Sequence, residues 1–314
     1  MTAIRVAHSV GPVMGAAAMS FGIVSIGLHL VGFELFSLAW LVLGVVTWLA
    51  LAAVVVGRFA LDRPRLLHES RTPAALTGVA ATTVLGTRLA LLGWTAIALV
   101  ALGGAVAVWL LLMPSVIRGW TVPTVGAGFL LCVATQGVAV LGATVAASAA
   151  WSWLIVPSMG FFVIGIGCYA AVLMRFSPNQ LVVGAGDHWV AAGALAISAL
   201  AAGRIVLAVA ADGWTGWAEY LPHVAAMIEV VELAAYVLLV CCEVWKPRLQ
   251  FDLRRWSTVF PMGMTAVSAM TVGTATGLEV LHSIGRILVW PAVLVGTIML
   301  VASARRLVAA VRRA

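Results

Sequence analysis

Apolar blocks of roughly membrane-spanning length recur about ten times along this chain of 314 residues. Four examples, each nearly free of charge, lie at residues 42–56, 97–113, 161–174 and 224–242. A helix needs roughly 20 apolar residues to cross the ~30 Å hydrocarbon core of a bilayer. Composition agrees, because 63% of the residues are hydrophobic and only 9% are charged, against roughly 25% charged residues in an ordinary globular domain. We therefore expect an integral membrane protein without a second, soluble domain.

The fold class predicted from these blocks is an all-α bundle that forms one polytopic domain over residues 1–314. A chain in lipid must satisfy its own backbone polar groups, and the connections between the blocks are short. The first block lacks a small-residue cleavage site, so we expect a retained helix rather than a signal peptide. The ten predicted transmembrane helices cover residues 10–30, 35–57, 72–90, 93–114, 123–147, 151–174, 188–210, 220–243, 255–277 and 281–304.

Basic residues fall almost entirely on one side of the ten predicted helices, and only Arg88, Arg204 and Arg286 lie elsewhere. By the positive-inside rule this pattern predicts a multi-pass protein of the cell (inner or plasma) membrane with both termini cytoplasmic. A nucleic-acid partner is not expected, because the basic residues sit at helix ends without an aromatic stacking platform. The residues assigned to the inner side are Arg5, Arg58, Arg63, Arg65, Arg71, Arg118, Arg175, Lys246, Arg248, Arg254, Arg255, Arg305, Arg306, Arg312 and Arg313.

All four cysteines, Cys132, Cys168, Cys241 and Cys242, lie inside apolar blocks. Their spacing suggests neither a disulfide framework nor a zinc motif. We interpret them as small apolar packing groups, and we expect no metal and no cofactor.

Small residues alternate between successive blocks. Gly, Ser and Thr form roughly a third of the odd-numbered blocks and about a sixth of the even-numbered ones, and small residues mark close helix contacts or polar cavities. The third block carries Thr82, Thr83 and Thr87, and the ninth carries Thr265 and Ser268. The pattern predicts about five hairpins, with odd helices inside and even helices outside, around a central path. Tight packing by small residues is the alternative explanation.

Prolines interrupt or open several of these helices. Pro12, Pro123 and Pro261 lie in odd blocks, whereas Pro157 and Pro291 lie in even ones. Each proline removes a helical hydrogen bond and frees a carbonyl. In a membrane, such breaks persist where protein or a water-lined cavity satisfies the backbone. Prolines on the inner helices are therefore compatible with a conduit, although their presence on outer helices weakens the signal.

Four motifs give the chain a resemblance to a known family. They are residues 19–27 (MSFGIVSIG), 133–136 (VATQ), 187–189 with 193–198 (DHW and GALAIS), and 260–264 (FPMGM). In this order and spacing they resemble the tellurite-resistance/dicarboxylate transporter family. Its members include the bacterial TehA channel, the plant slow anion channels and yeast malate permease. The resemblance spans almost the whole chain.

This resemblance implies five helical hairpins in a quasi-fivefold arrangement, a pore lined by odd helices, and a homotrimer with one pore per subunit. It also implies that Phe260, immediately before Pro261, is a gate, because a ring in a narrow apolar constriction blocks ions by sterics and dewetting. An ordinary packed phenylalanine is the alternative. The predicted pore-lining residues are Ser20, Gly22, Ser25, Thr83, Thr135, Gln136, Ser198, Pro261 and Ser268.

Charged residues inside a membrane are costly and usually mark function or a paired contact. Arg204 lies within the seventh block, and Glu229 and Glu232 share one face of the eighth. We favour a structural ion pair between Arg204 and one of these glutamates, the alternative being a positive potential in the pore. Arg88 and Arg286 are expected to extend to the interface.

The sequence contains no phosphate-binding loop, nucleophile–base arrangement or metal-ligand cluster. We expect a protein that is not an enzyme and that passes small anions such as chloride, nitrate, malate or another C4-dicarboxylate, sulfite or tellurite. The alternative is a haem-binding membrane anchor of a redox complex. That function would need histidines facing each other at one depth, whereas His29, His188, His223 and His282 are expected at the interfaces.

Overall fold

A computed structural model of the protein describes residues 2–120, 124–183, 186–213, 219–247 and 252–312. Side chains are described from residue 13 onward, except those of residues 182–183 and 310–311. Pro123, Arg248 and Arg313 lie outside the described residues, as do the side chains of Arg5 and Pro12.

The described chain is mostly helical and contains no β-strand. All ten predicted helices are present. Helices α1, α2, α5 and α12 extend further than expected, whereas α4, α6 and α7 begin five, seven and four residues later than expected because 3₁₀ turns precede them. Two short helices, α3 and α8, were not predicted. The helices are α1 (Thr2–Leu30), α2 (Glu34–Leu61), α3 (Arg63–Glu69), α4 (Thr77–Leu91), α5 (Thr95–Arg118), α6 (Leu130–Ala149), α7 (Ile155–Leu173), α8 (Gln180–Val183), α9 (Val190–Asp212), α10 (Leu221–Trp245), α11 (Trp256–Thr276) and α12 (Glu279–Val311).

Nine segments of the described chain are long and apolar enough to cross a membrane. The remaining long helix, α11, has 21 residues and no charge, but seven of them are Ser or Thr. We count α11 as the tenth spanning helix because all but one of its residues from Trp256 to Gly273 are buried among the other helices. The predicted all-α membrane fold is therefore confirmed.

Burial divides the ten long helices into two sets. Between 67% and 100% of the residues are buried in the apolar windows of α1, α4, α6 and α9, against 22% to 28% in α2, α5, α7, α10 and α12. Helix α11 belongs to the first set. The inner helices are thus the odd-numbered blocks of the sequence, as their small residues predicted, and the outer helices turn apolar side chains toward lipid.

The inner helices form a closed ring in which contacts run from α1 to α4, α6, α9, α11 and back to α1. Each outer helix lies over two successive members of this ring, and α10, for example, contacts α9 and α11. Five hairpins therefore surround one axis. Their rotational symmetry stays a prediction.

Close approach within the ring depends on residues without side chains. A Cβ atom added at Gly193 of α9 would lie 2.8 Å from Cγ of Pro261 in α11. The proline ring and the backbone of α11 cannot move aside at that distance, so alanine at Gly193 would push α9 and α11 apart. Small residues thus bring the inner helices together, which is one of the two explanations that the sequence left open.

A short 3₁₀ turn precedes four of the five inner helices at the same end of the bundle. These turns are Pro73–Leu76 before α4, Gly126–Phe129 before α6, Asp187–Trp189 before α9 and Leu253–Arg255 before α11. Residues of all four turns line a cavity at this end of the bundle.

Candidate functional site

A cavity of about 190 Å³, the vestibule, opens at the end of the bundle where α4, α6, α9 and α11 begin. This is the end predicted to face the cytoplasm. Every inner helix or its entry turn contributes to the lining, which includes Val13 and Met19 of α1, Ala74, Thr77, Ala127, Leu130, Asp187, Val190, Arg254 and Phe260. The vestibule therefore lies on the axis of the ring.

The charges lining the vestibule largely balance each other. Arg254 forms an ion pair with Asp252, with Nη2 and Oδ2 2.7 Å apart, and Asp187 lines the same cavity. The hydrogen bonds from Arg254 lower the pKa of Asp252 from its ordinary value. Reciprocally, the hydrogen bond to Asp252 raises the pKa of Arg254. The vestibule lining is mostly apolar, and the charged groups beside it leave little net charge at the entrance.

Phe260 forms part of the inner wall of the vestibule and is only 1% exposed. It lies in the second turn of α11, directly before Pro261, and the helix runs without a break through this proline. Because proline has no N–H, the carbonyl four residues earlier loses its helical donor. The turn that carries Phe260 is therefore held less firmly by backbone hydrogen bonds than the turns around it.

A second cavity, the central cavity, lies deeper between the inner helices and has a volume of about 10 Å³. All five inner helices line it, through Ile23, Ile26, Thr83, Val84, Thr87, Gly137, Val140, Ile197, Leu200 and Met264. This volume is at the lower limit for one water molecule. The path is thus too narrow for a hydrated anion in this conformation.

One turn of α11 separates the two cavities. Phe260 lines the vestibule, whereas Met264, four residues later, lines the central cavity. Phe260 was predicted at the gate, but the predicted pore-lining residues include neither Met264 nor Thr87, which stands four residues after Thr83. Helical spacing from the named residues was the signal that would have found both.

Thr83 and Thr87 are the hydroxyl-bearing residues of the central cavity. Both hydroxyls donate within α4, from Thr83 Oγ1 to the Ala80 carbonyl oxygen at 2.9 Å and from Thr87 Oγ1 to the Thr83 carbonyl oxygen at 2.8 Å. An anion in this cavity would have to draw these hydrogens away from the backbone. The resting cavity is therefore apolar in effect.

The structure places Gln136 and Ser198 at a contact between helices and not among the residues lining the two cavities. Gln136 Nε2 donates to the Phe162 carbonyl oxygen of α7 and to Ser198 Oγ of α9, both at 3.1 Å. Ser198 also lies 3.6 Å from Cys132 Sγ. These groups join α6, α7 and α9 to one another.

Other residues predicted to line the pore also lie where helices meet. Ser20 of α1 donates to the Trp256 carbonyl oxygen of α11 at 2.9 Å, and Thr135 accepts from Trp109 Nε1 of α5 at 2.9 Å. Ser268 donates to the Thr265 carbonyl oxygen within α11 at 3.0 Å. Gly22 faces α4, since a Cβ there would lie 2.8 Å from Val84 Cγ1. Of the residues predicted to line or gate the pore, Thr83 and Phe260 are the ones that line the two cavities.

Arg204 stands on the face of α9 that carries Ile197 and Leu200, because the three residues are spaced seven and four apart. Ile197 and Leu200 line the central cavity, so Arg204 follows it on the side away from the vestibule. Its Nε atom is buried without a hydrogen-bond partner. The favoured ion pair with Glu229 or Glu232 is not found among the described side chains, and a positive potential in the pore stays a prediction.

Glu229 and Glu232 of α10 are completely buried. They face α11, where Thr265 Oγ1 donates to Glu232 Oε1 at 2.5 Å. Both glutamates therefore turn away from lipid, although they belong to an outer helix.

Arg88 was predicted to extend to the membrane interface, and this prediction was wrong. Its side chain is 0% exposed and forms an ion pair with Glu34 of α2. Its Nε donates to Ser37 Oγ at 3.1 Å and to Ser25 Oγ at 3.3 Å. Ser25, expected in the pore, thus serves a charge network between α1, α2 and α4.

The histidines were expected at the interfaces, yet His188 is completely buried in the turn before α9. His29 contacts Glu34, with Nδ1 and Oε2 2.6 Å apart. No group of three His, Cys, Asp or Glu side chains within the described residues is placed to hold a metal ion.

The profile of a family described as "Voltage-dependent anion channel" matches residues 9–304, nearly the full length. The chain belongs to this voltage-dependent anion channel family. The match confirms the resemblance inferred from the four sequence motifs, and it covers every inner helix that lines the two cavities. Membership supports a channel or transporter of anions.

This member of the voltage-dependent anion channel family is also similar to an "uncharacterized membrane protein" of Mycobacterium tuberculosis. The two are 28% identical over 166 residues, which cover 49% of this chain and 80% of the relative. The same similarity holds for the protein of strain CDC 1551 / Oshkosh and for that of strain H37Rv. The relative's description says that it is a membrane protein and no more.

Proposed function

We propose that this protein passes small anions along the axis of its inner ring, from the vestibule past Phe260 and the central cavity to the face of α9 that carries Arg204. The observation that carries the proposal is that all five inner helices contribute to both cavities. Family membership supplies the class of solute. Transport then runs down a gradient or couples to one.

Phe260 is the proposed gate. Its ring belongs to the single turn of α11 that separates the vestibule from the central cavity. Rotation of the ring toward the vestibule, which has about 190 Å³ of space, would open the constriction without moving a whole helix. An apolar constriction that fills with water when it widens is a known means of gating.

The proposed solutes are chloride, nitrate, malate or other C4-dicarboxylates, sulfite and tellurite. On the proposed path, Thr83 and Thr87 of the central cavity supply hydroxyl groups, and Arg204 is the candidate fixed positive charge. A pore with so few fixed charges would discriminate poorly among these anions.

We further propose a homotrimer in the cell membrane, with one pore per subunit and both termini cytoplasmic. The lipid-facing apolar surface of the outer helices offers room for subunit contacts. The mass of the protein in detergent tests the trimer, and reporter fusions at Ser115, Pro178 and Ala149 test the sidedness.

The gate is tested with Phe260→Ala in proteoliposomes that contain a panel of anions. Removing the ring should widen the constriction, and lowering its barrier by ~1.4 kcal/mol would raise flux roughly tenfold. Loss of a buried phenylalanine also costs ~3–5 kcal/mol of packing, so the melting temperature is measured alongside flux.

Phe129→Ala is the matched control for Phe260→Ala. Phe129 is also fully buried but packs against Tyr169 and Phe176 and lines neither cavity. Both variants should lose stability, and only Phe260→Ala should gain flux. A folded Phe260→Ala protein without anion flux above that of Phe129→Ala would overturn the gate. A Soret band in the purified protein would instead favour the haem-anchor alternative.

A further inference from the structure

Two carboxyl groups lie side by side inside the membrane domain, away from the central path. Glu229 and Glu232 are three residues apart on α10, so they share one helix face. Both are 0% exposed. On the facing helix, α11, Thr265 Oγ1 donates to Glu232 Oε1, and Ser268 lies close to Glu229.

No positive charge compensates this pair within the described residues. Both Glu229 oxygens and Glu232 Oε2 are buried without a hydrogen-bond partner, and Ser268 donates to the Thr265 carbonyl oxygen instead. Neither carboxyl group takes part in an ion pair among those that the described side chains form.

The titratable groups on the elements packed against the pair do not supply a counter-charge. Helix α11 has none, and α8 has none. Helix α9 carries Arg204 on the face toward the central path and Asp212 at its end. Helix α10 itself carries His223, Cys241, Cys242 and Glu243 toward its ends, and the phenols of Tyr236 and of Tyr169 in α7 lie near Glu232.

Burying a lone ionised carboxylate in a dry environment is far more costly than burying the neutral acid. Two adjacent carboxylates add mutual repulsion, which favours a proton on at least one of them. We propose that Glu229 and Glu232 form a proton-binding site that holds at least one proton at neutral pH. Binding converts a carboxylate and an aqueous proton into a carboxylic acid, and no other reactant is needed.

The geometry also links this site to the helix that carries the proposed gate. The Thr265 hydroxyl has one hydrogen and two acceptors within reach, Glu232 Oε1 at 2.5 Å and the Pro261 carbonyl oxygen at 3.1 Å. When Glu232 is ionised, the hydrogen goes to the carboxylate. When Glu232 carries its proton on Oε1, this O–H can donate to Thr265 Oγ1, and the threonine hydrogen is then free to bond the Pro261 carbonyl oxygen. Proton uptake thus changes the bonding of the turn beside Phe260.

The site itself is tested by infrared spectroscopy of the protein in lipid bilayers during a pH titration. A protonated carboxyl group has a carbonyl stretching band that a carboxylate lacks. We expect this band at neutral pH in the natural protein, and its loss in the Glu229→Gln/Glu232→Gln double variant. Glu279→Gln, which changes an exposed residue at the start of α12, should keep the band. No band in the natural protein, or a band that survives the double variant, would overturn the site.

The link to α11 rests on the proposed function and is tested separately by anion flux at several pH values. The natural protein should show pH-dependent flux, whereas the double variant and Thr265→Val should conduct with that dependence lost. Persistent pH dependence in the double variant would overturn the link. Absence of anion flux from every protein, including Phe260→Ala, would overturn the proposed function and leave the infrared result to decide the proton site.

Discussion

Arg88 and the pair of Glu229 and Glu232 are both charged sites buried in the same bundle, yet their surroundings differ completely. Arg88 has the Glu34 carboxylate and two serine hydroxyls around it. The two glutamates together accept one hydrogen bond, which the Thr265 hydroxyl donates to Glu232. A buried charge with several hydrogen-bonding and ionic partners stabilises the contact of three helices. A buried carboxyl group without such partners is either neutral or retained for a function that requires it to bind and release a proton.

The largest effect is expected where the compensated site is broken. Glu34→Gln leaves Arg88, which is 0% exposed, without its counter-charge, and removing one partner of a buried pair costs ~3–5 kcal/mol. Because the Glu34 side chain is 44% exposed, we expect the lower end, ~3 kcal/mol, measured as a drop in the thermal unfolding midpoint. Arg88→Leu should cost less, because the Glu34 left behind can be hydrated. Equal stability of Glu34→Gln and the natural protein would show that the network does not hold the helices.

The second prediction concerns Arg204, which lies within the membrane domain and forms no ion pair among the described side chains. Arg204→Gln should lower anion flux roughly tenfold, which corresponds to ~1.4 kcal/mol, because the path loses its fixed positive charge. Arg286→Gln on the exposed side of α12 is the control and should leave flux unchanged. If both variants conduct like the natural protein, Arg204 does not act on the path.

Glu229→Gln sharpens the comparison in the opposite direction from Glu34→Gln. If Glu229 is already neutral, the isosteric amide changes little, and we expect stability within about 1 kcal/mol of the natural protein or slightly above it. The measurement is the same thermal unfolding midpoint. A loss as large as that of Glu34→Gln would mean that Glu229 is ionised and paired.

The smallest effect is expected at the solvated ion pair beside the vestibule. Asp252 caps the turn before α11 and pairs with Arg254, and such exposed pairs contribute ~0–1 kcal/mol. Arg254 lowers the folded-state pKa of Asp252 below its ordinary value of 3.8. The contribution is thus fully present above about pH 4 and is lost as the pH falls through the folded-state pKa. Asp252→Asn should abolish that acid-dependent part, which unfolding at a series of acidic pH values would detect. An unchanged acid response in Asp252→Asn would show that the ion pair does not contribute to stability.

The helices could be predicted from sequence because each block carries its own signal. Apolar length set the ten spans, and the small residues of the odd blocks separated inner from outer helices. The position of Phe260 on the wall of the vestibule also agrees with the motif that named it, whereas its role as a gate stays a prediction.

Side-chain partners were harder to predict because they depend on the rotation of each helix about its axis. Gln136 reaches α7 and α9 at 3.1 Å, and nothing in its own block shows that it turns sideways from the path. Arg88 and Glu34 are 54 residues apart in the chain. Their pairing follows only once α1, α2 and α4 are packed together, so sequence position near a helix end suggested an interface residue instead.

The two cavities and Arg204 stand in a fixed order along the axis, with the wide vestibule at one end and the arginine beyond the central cavity at the other. On the proposed path, an anion entering from the vestibule would meet Phe260 before Arg204, whereas one entering from the opposite end would meet Arg204 first. The energy profile for an anion along the path is therefore asymmetric. Currents of equal driving force and opposite direction should differ in size, so a bilayer recording of one oriented population would show rectification.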